Sequence, residues 1–343
     1  MRILVTGHLG YIGTCLVPRL LEKKLHVVGS DTDFYKRCTY GPEPVAIANL
    51  DKDIRDLVSR DLTSFDAIIH LAGLSNDPLG ELNPRLTAEI NHLATVKLAR
   101  QAKLAGVRRF LFSSSCSTYG AAGEEFVSED HPFNPVTSYG HSKVLAEKGL
   151  SDLADESFAP TYLRNATVYG YSPRIRFDLV INNLVAWAHT SGKVLLKSQG
   201  LAWRPLVHVE DVADAFIAIL QAPVEDVHDQ AFNIGLSDQN YRVIALANKV
   251  VAQVPGAVLD IAPGAEADTR TYRVNCDKAR ETLPSWNPRW NVDQGIASIY
   301  GEYRAHGLEL SDFEGSRFAR VAHLKSLLET GALDTELRWA NKA

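Results

Sequence analysis

A strand that runs straight into three glycines constrains this chain more than any other feature. Ile3-Leu4-Val5 is followed by Thr6-Gly7-His8-Leu9-Gly10-Tyr11-Ile12-Gly13, and the amphipathic stretch from Cys15 to Leu21 comes next. Glycines at these places let the chain turn tightly and bring bare backbone N–H groups, at a helix N-terminus, close to a phosphate. A glycine triplet alone is an ordinary turn. Here the next apolar run, His26-Val27-Val28-Gly29-Ser30, ends in Asp31. That is close to the ~20-residue offset at which an acidic side chain meets the adenosine ribose hydroxyls of a dinucleotide. Strand, glycines, helix and acid, in that order, point to a dinucleotide held over Gly7, Gly10, Tyr11, Ile12 and Gly13.

At 343 residues the chain exceeds what one hydrophobic core usually fills, so two domains, or one large domain with a smaller lobe, are expected. Hydrophobic residues make up 45% and charged residues 22%, the balance of a soluble globular enzyme. The net charge of -5 argues against a nucleic-acid surface, which needs a concentrated basic face, while a few local arginines suffice for a nucleotide. Cys15, Cys38, Cys116 and Cys276 show no CxxC spacing, as expected in a reducing cytoplasm. The opening Met1-Arg2-Ile3-Leu4-Val5 is too short for a signal peptide, and no segment is long enough to span a membrane. The 11 histidines show no HxxxH or HxH spacing, so no metal site is expected.

Short apolar runs alternate with helical periodicity through the first half. The pattern predicts strands over 2–6, 25–31, 44–48, 66–71, 109–114 and 159–163, with helices near 84–105 and 138–155. Such alternation implies parallel βαβ units, hence an α/β fold with a doubly wound parallel sheet, whose ligands bind at the carboxyl ends of the strands. From about 169 the pattern changes. Residues 174–192 read as a helix, Trp203 to Val209 leads into another over about 210–221, and Phe232-Asn233-Ile234-Gly235 is a short strand able to return to the main sheet. Residues 1–168 with about 206–235 are expected to form the dinucleotide-binding domain, and about 169–205 with 236–343 a smaller, irregular substrate-binding lobe. Phe318, Val321, Leu324, Leu327 and Leu328 predict a docked terminal helix.

Tyr139 and Lys143 lie four apart where a helix starts, so both point from one face. A free phenol titrates near 10, and a base working near neutrality needs about 3 units of depression, or roughly 4 kcal/mol. A cation about 5 Å away at an effective dielectric of about 20 supplies on the order of 3 kcal/mol. An oxidised nicotinamide ring nearby would contribute the rest. Ser115 ends the run Phe110-Leu111-Phe112-Ser113-Ser114-Ser115, where a hydroxyl is free to bind a substrate oxygen, while Ser113 and Ser114 are expected to satisfy strand-end backbone groups.

These residues, with Asp53-Ile54-Arg55-Asp56, His70-Leu71-Ala72-Gly73 and Arg204-Pro205-Leu206-Val207-His208-Val209-Glu210-Asp211, resemble the extended short-chain dehydrogenase/reductases of the nucleotide-sugar epimerase/dehydratase family. The resemblance runs from residue 1 to about residue 300 and implies a Rossmann-type sheet with NAD as cofactor. In that family the residue at Tyr139 takes the proton of a sugar hydroxyl while C4 gives hydride to NAD. Lys143 would hold the nicotinamide ribose and lower the tyrosine pKa, and Ser115 would bind the same sugar oxygen. Asp31 would favour NAD over NADP, because a 2′-phosphate would face a carboxylate. Asp53 and Ile54 would flank the adenine, with Leu71, Ala72 and Gly73 along the cofactor path. The resemblance also implies a nucleotide-diphosphate sugar as substrate, with Arg204 and Arg270 clamping the diphosphate and Thr167, Asn182 and Asn183 at the sugar. The lesser alternative for each arginine is an ion pair at the surface or across the domains. His208 and Asp211 are expected to be structural, as a cap before the following helix. Family members often pair as homodimers through a four-helix bundle that would include the Tyr139 helix.

Three departures narrow the chemistry. Family 4,6-dehydratases carry an Asp-Glu pair directly after the serine, where this chain has Cys116 and Ser117. The reactive cysteine of 3,5-epimerases lies two residues before the tyrosine equivalent to Tyr119, whereas Cys116 lies three before it, which reads as a buried structural thiol. Thr167 replaces an asparagine common in relatives. An NAD-dependent epimerase working through transient C4 oxidation is therefore expected. An NAD(P)H-dependent 4-ketoreductase is the alternative, and a non-catalytic dinucleotide-binding regulator, which would lack the tyrosine or lysine, ranks below both.

Overall fold

Seven parallel strands form the main sheet, in the order Gln230–Ile234, Ala159–Asn165, Arg109–Ser115, Ala67–His70, Arg2–Thr6, His26–Ser30, Ala48–Asn49. The structure, a computed structural model, describes residues 1–75, 77–266, 268 and 270–340. A parallel sheet is covered by helices on both faces, so its strands read as unbroken apolar runs. Ile3-Leu4-Val5, Ala67-Ile68-Ile69 and Phe110-Leu111-Phe112 are such runs, and all are buried. The chain first winds outward to Ala48–Asn49, then crosses back to lay Ala67–His70 on the other flank of Arg2–Thr6. That reversal opens a crevice at the carboxyl ends. Thr6 is level with both Ser30 and His70, and Ser115 with Asn165, so the loops after these strands share one edge.

Several elements differ from the sequence expectation. The strand expected over 44–48 reduces to the two-residue edge strand Ala48–Asn49, because Pro42 and Pro44 cannot donate to a ladder and Val45 faces solvent. The helix near 84–105 holds a π-turn over Glu89–Leu93 between regular segments. This turn lodges Asn91 against the loop at Leu74, whose backbone N–H and carbonyl it binds at 2.8 and 2.9 Å, while Nδ2 also reaches Ser142. The helix expected from 174 begins only at Val180. Residues 174–179 stay irregular because Arg174 and Arg176 are buried and held by Asp33 and Asp178. The terminal helix spans Arg320–Glu329 and docks through Leu324 onto the main-sheet core, with Phe318 just before it.

The strand Gln230–Ile234 lies parallel beside Ala159–Asn165. Outside this sheet, a separate apolar cluster gathers Ile181, Leu184, Val185, Leu246, Val250, Ile296 and Tyr303 around the helices Val180–Ser191, Val243–Gln253 and Val292–Ala305. His208 caps the helix Val209–Gln221, its Nδ1 accepting the Glu210 amide, while the Asp211 carboxylate accepts the amides of Arg289 and Trp290.

Two buried histidines set how this fold responds to acid. His70 lies between the hydroxyls of Thr6 and Thr95 at 2.6 and 2.8 Å, and His208 stacks on Trp290 at 4.0 Å. Burial pushes both imidazoles from 6.5 down to about 3. As pH falls through this window the unfolded chain takes up protons that the fold refuses, so stability is lost. Between pH 7 and 5 each histidine subtracts about 2 kcal/mol. Asp211 opposes them: burial raises it to about 6, and it returns about 1 kcal/mol over that interval. These three groups together contribute a net loss of about 3 kcal/mol to urea unfolding at pH 5 against pH 7. Equal stability at the two pH values would contradict it.

Candidate active site

A cavity of about 850 Å3 runs along the carboxyl edge of the sheet. At its floor the glycine turn allows no side chains: a Cβ on Gly7, at φ +74°, would fall 2.6 Å from the Ala72 nitrogen, and one on Gly13 would fall 2.4 Å from the Gly7 carbonyl oxygen. The helix Gly13–Glu22 starts there with no side-chain cap and no acid in its first turn. Its positive end therefore faces the cavity unopposed, which fits a dinucleotide's diphosphate. Tyr11 and Ile12 are part of this wall, the Tyr11 hydroxyl donating to the Gly170 carbonyl at 2.7 Å.

Asp31 lies on the wall at the end of its strand, accepting the amides of Leu9 and Asp33 at 2.9 and 2.8 Å. Asp53 and Ile54 line the same cavity. The Asp53 carboxylate is already taken: Arg55 donates to both oxygens, at 3.1 and 2.7 Å. Burial works against its charge, but Arg55's hydrogen bonds and charge outweigh burial and hold this carboxyl below the usual range. Leu71, Ala72 and Gly73 continue the wall beyond the strand Ala67–His70.

Ser115, Tyr139 and Lys143 meet in the same cavity. Thr137 caps the helix Ser138–Ser151, accepting the Gly140 amide at 3.1 Å and donating to Asp77 at 2.7 Å. Lys143 is buried beneath, its Nζ donating to the Ser113 carbonyl at 2.7 Å and lying 5.6 Å from the Tyr139 ring centre. Burial draws its amine down to about 8, against the pull of Glu147. Burial pushes the Tyr139 phenol up to about 12, opposed by the Arg176 charge and a hydrogen bond with Ser115. The neighbouring strand-end hydroxyls are occupied elsewhere: Ser113 accepts from Asn165 Nδ2 at 3.0 Å, and Ser114 donates to Glu147. Cys116 is fully buried, its thiol donating to the Arg164 carbonyl at 3.1 Å, and burial raises it far from thiolate reactivity.

The other expected substrate residues fare unevenly. Thr167, Asn183, Arg204 and Arg270 line the cavity, but Asn182 does not. Asn182 is fully buried under the wall, where it binds Gly170 and the carbonyl of Arg176. Helical geometry explains the split, since adjacent residues point about 100° apart. Both expected clamp arginines are ion-paired. Asp268 holds Arg204 at 2.6 Å and Arg270 at 2.9 Å, and Asp77 holds Arg270 at 2.6 Å. Diphosphate binding by this pair would have to compete with these carboxylates. Arg176 is a cavity residue that sequence reasoning missed; its only signal was the Arg174-Ile175-Arg176 run, which helical periodicity absorbed. Among the described residues no group of three or more His, Cys, Asp or Glu side chains is arranged to hold a metal ion.

Comparison with known proteins agrees with this geometry. Residues 3–235 match the model of the NAD dependent epimerase/dehydratase family. A UDP-glucose 4-epimerase of Mycolicibacterium smegmatis is 31% identical over 89% of this chain and 99% of its own length. A UDP-glucuronic acid decarboxylase of Arabidopsis thaliana is 26% identical over 89% of this chain and 68% of its own. The solved structure of MoeE5 in complex with UDP-glucuronic acid and NAD superposes with a TM-score of 0.77 at 26% identity, covering 89% of this chain and 99% of that one. A glycine turn opening on an unopposed helix end, an acid beyond the second strand, and a match across two thirds of the length make this chain a member of the NAD-dependent epimerase/dehydratase family.

Proposed function

We propose that this enzyme is an NAD-dependent epimerase that acts on a nucleotide-diphosphate sugar by transient oxidation at C4. The observation that carries the reading is the convergence of Ser115, Tyr139 and Lys143 in the cavity that also holds the glycine turn and Asp31. When bound, NAD supplies the hydride acceptor and returns the hydride to either face of the sugar. Gly7, Gly10, Tyr11, Ile12 and Gly13 would bind its diphosphate, Asp31 its adenosine ribose, Asp53 and Ile54 its adenine, and Leu71, Ala72 and Gly73 the path between. Tyr139 takes the sugar hydroxyl proton, and Ser115 holds the oxygen that loses it. Tyr139 accepts that proton only as a phenolate; with the phenol raised to about 12 this costs about 7 kcal/mol at pH 7, which the positive charge of Lys143, Arg176 and bound oxidised NAD would offset. Lys143 and Arg176 both supply positive charge in this cavity.

Thr167, Asn183, Arg204 and Arg270 would face the substrate, and residues 1–168 with about 206–235 would carry the cofactor while the remainder carries the nucleotide sugar. The exposed side chains of Leu93, Leu104 and Leu145, on and beside the two long helices of one flank, support pairing as a homodimer. The test is to incubate the purified enzyme with a panel of nucleotide sugars, follow C4 configuration by NMR, and measure NAD released on denaturation. Interconversion of C4 epimers with about one NAD retained per chain is the expected result. Net reduction of a 4-keto sugar using added NAD(P)H would instead make it a ketoreductase, and inertness toward every sugar a dinucleotide-binding regulator.

A further inference from the structure

The adenosine end of the cavity is walled by two loops that a later segment of the chain ties together. The loop after the strand His26–Ser30 contributes Asp31, Thr32 and Phe34, and the opposite loop contributes Asp53, Ile54 and Arg55. Residues 333–339 bridge them. Trp339 donates its indole N–H to the Thr32 carbonyl at 2.6 Å, and its ring packs on Phe34 at 6.1 Å. On the other side Arg55 donates to the carbonyls of Glu336 and Leu337 at 2.8 and 3.2 Å, and Arg338 pairs with Asp56 and, at 3.5 Å, with Asp53.

This bridge is a built element. Asp334 stiffens it by accepting the amides of Glu336 and Arg338 at 2.9 and 2.8 Å, and Leu333 and Leu337 are buried in the main-sheet core. Leu337 stands at φ +52°, a left-handed backbone that costs a non-glycine residue free energy and persists only where the surroundings hold it. The helix leading to the bridge begins with Arg320, itself on the cavity wall. Arg320 is 7% exposed, lies 4.0 Å from the Tyr35 ring centre, and donates to the Arg174 carbonyl at 2.9 Å. Its buried Nε has no hydrogen-bond partner.

We infer that the segment 333–339 is part of the dinucleotide site: residues 336–339 latch the two adenosine walls so that NAD leaves only when the latch lifts. Trp339, Arg338 and Asp56 are positioning residues, acting through Thr32, Phe34 and Asp53. The inference rests on NAD lying between Asp31 and Asp53, and not on the C4 chemistry.

The experiment loads the full-length protein with isotopically labelled NAD, chases with excess unlabelled NAD, and measures the exchange half-life beside the melting midpoint of the cofactor-free protein. Trp339→Ala is expected to shorten the half-life roughly tenfold, the effect of about 1.4 kcal/mol. Trp339→Phe, which keeps the ring and loses the donor, should recover part of it. Asp56→Asn, at an exposed position on the opposite wall, loosens the same latch without touching the core and is expected to exchange about threefold faster. Asp31→Ala serves as the control. If Asp31→Ala accelerates exchange while the Trp339 and Asp56 variants keep the parent half-life, the latch is overturned and the cofactor position stands. If Asp31→Ala has no effect either, the cofactor position itself falls. A lowered melting midpoint with an unchanged half-life would show a merely structural tail and would also overturn the inference.

Discussion

Tyr139→Phe is expected to slow turnover roughly a thousandfold while NAD remains bound, the size of effect that a single positioned acid/base group supplies. As its phenolate, Tyr139 is the proton acceptor of the proposed C4 oxidation, and Ser115, which bonds to it, is too weak a base to replace it. Phenylalanine keeps the ring that lies 5.6 Å from the Lys143 ammonium, so the local packing survives and the loss reports proton transfer alone. Two measurements check this: the rate of C4 interconversion, and the NAD recovered after denaturation. A variant that retained a tenth of the parent rate would show that the proton goes elsewhere. The expectation depends on the burial that raises the phenol to about 12, because a solvent-exposed phenol would let water substitute as the acceptor.

The largest effect on stability is expected from Glu147→Ala. Glu147 and Arg164 form an ion pair at 2.8 Å with side chains only 5% and 7% exposed. Arg164 also donates to the Tyr119 hydroxyl at 3.0 Å and to the Glu129 carbonyl at 2.7 Å, and Ser114 donates to Glu147 from the strand that carries Ser115. Removing the carboxylate leaves a buried guanidinium without a counter-charge, which costs about 3–5 kcal/mol. Removing both partners, as Glu147→Ala with Arg164→Met, is expected to cost clearly less, since no charge is then stranded. Urea unfolding of the two single variants and the double completes the cycle, and strictly additive losses would contradict the pairing. The milder Glu147→Gln carries a kinetic signature as well. Glu147 raises the Lys143 amine, which burial draws down to about 8. Without that carboxylate, Lys143 gives up its proton at lower pH, so the alkaline limb of the pH–rate profile moves downward. A purely structural role would leave that limb in place.

The difference between what was legible and what was not follows sequence distance. The glycine turn, the acid at the end of the second strand and the Tyr139–Lys143 spacing were readable because each depends on neighbours within one turn or one βαβ unit. The strand expected over 44–48 and the early start of the helix after Pro173 failed for a related reason: periodicity registers apolar spacing, but not the prolines or the buried arginines that override it.

By itself the sequence determined the doubly wound sheet and the glycine turn after its first strand, and it set Tyr139 and Lys143 on one face of a helix, since local dihedral limits and burial periodicity are properties of adjacent residues. Tertiary structure alone decided which charges surround them. Arg176 stands near Tyr139, Asp268 and Asp77 pair with Arg204 and Arg270, and Arg55 grips carbonyls 281 and 282 residues away. A buried charge takes whichever partner the packed chain brings within a few ångströms, and no spacing in the sequence encodes that choice.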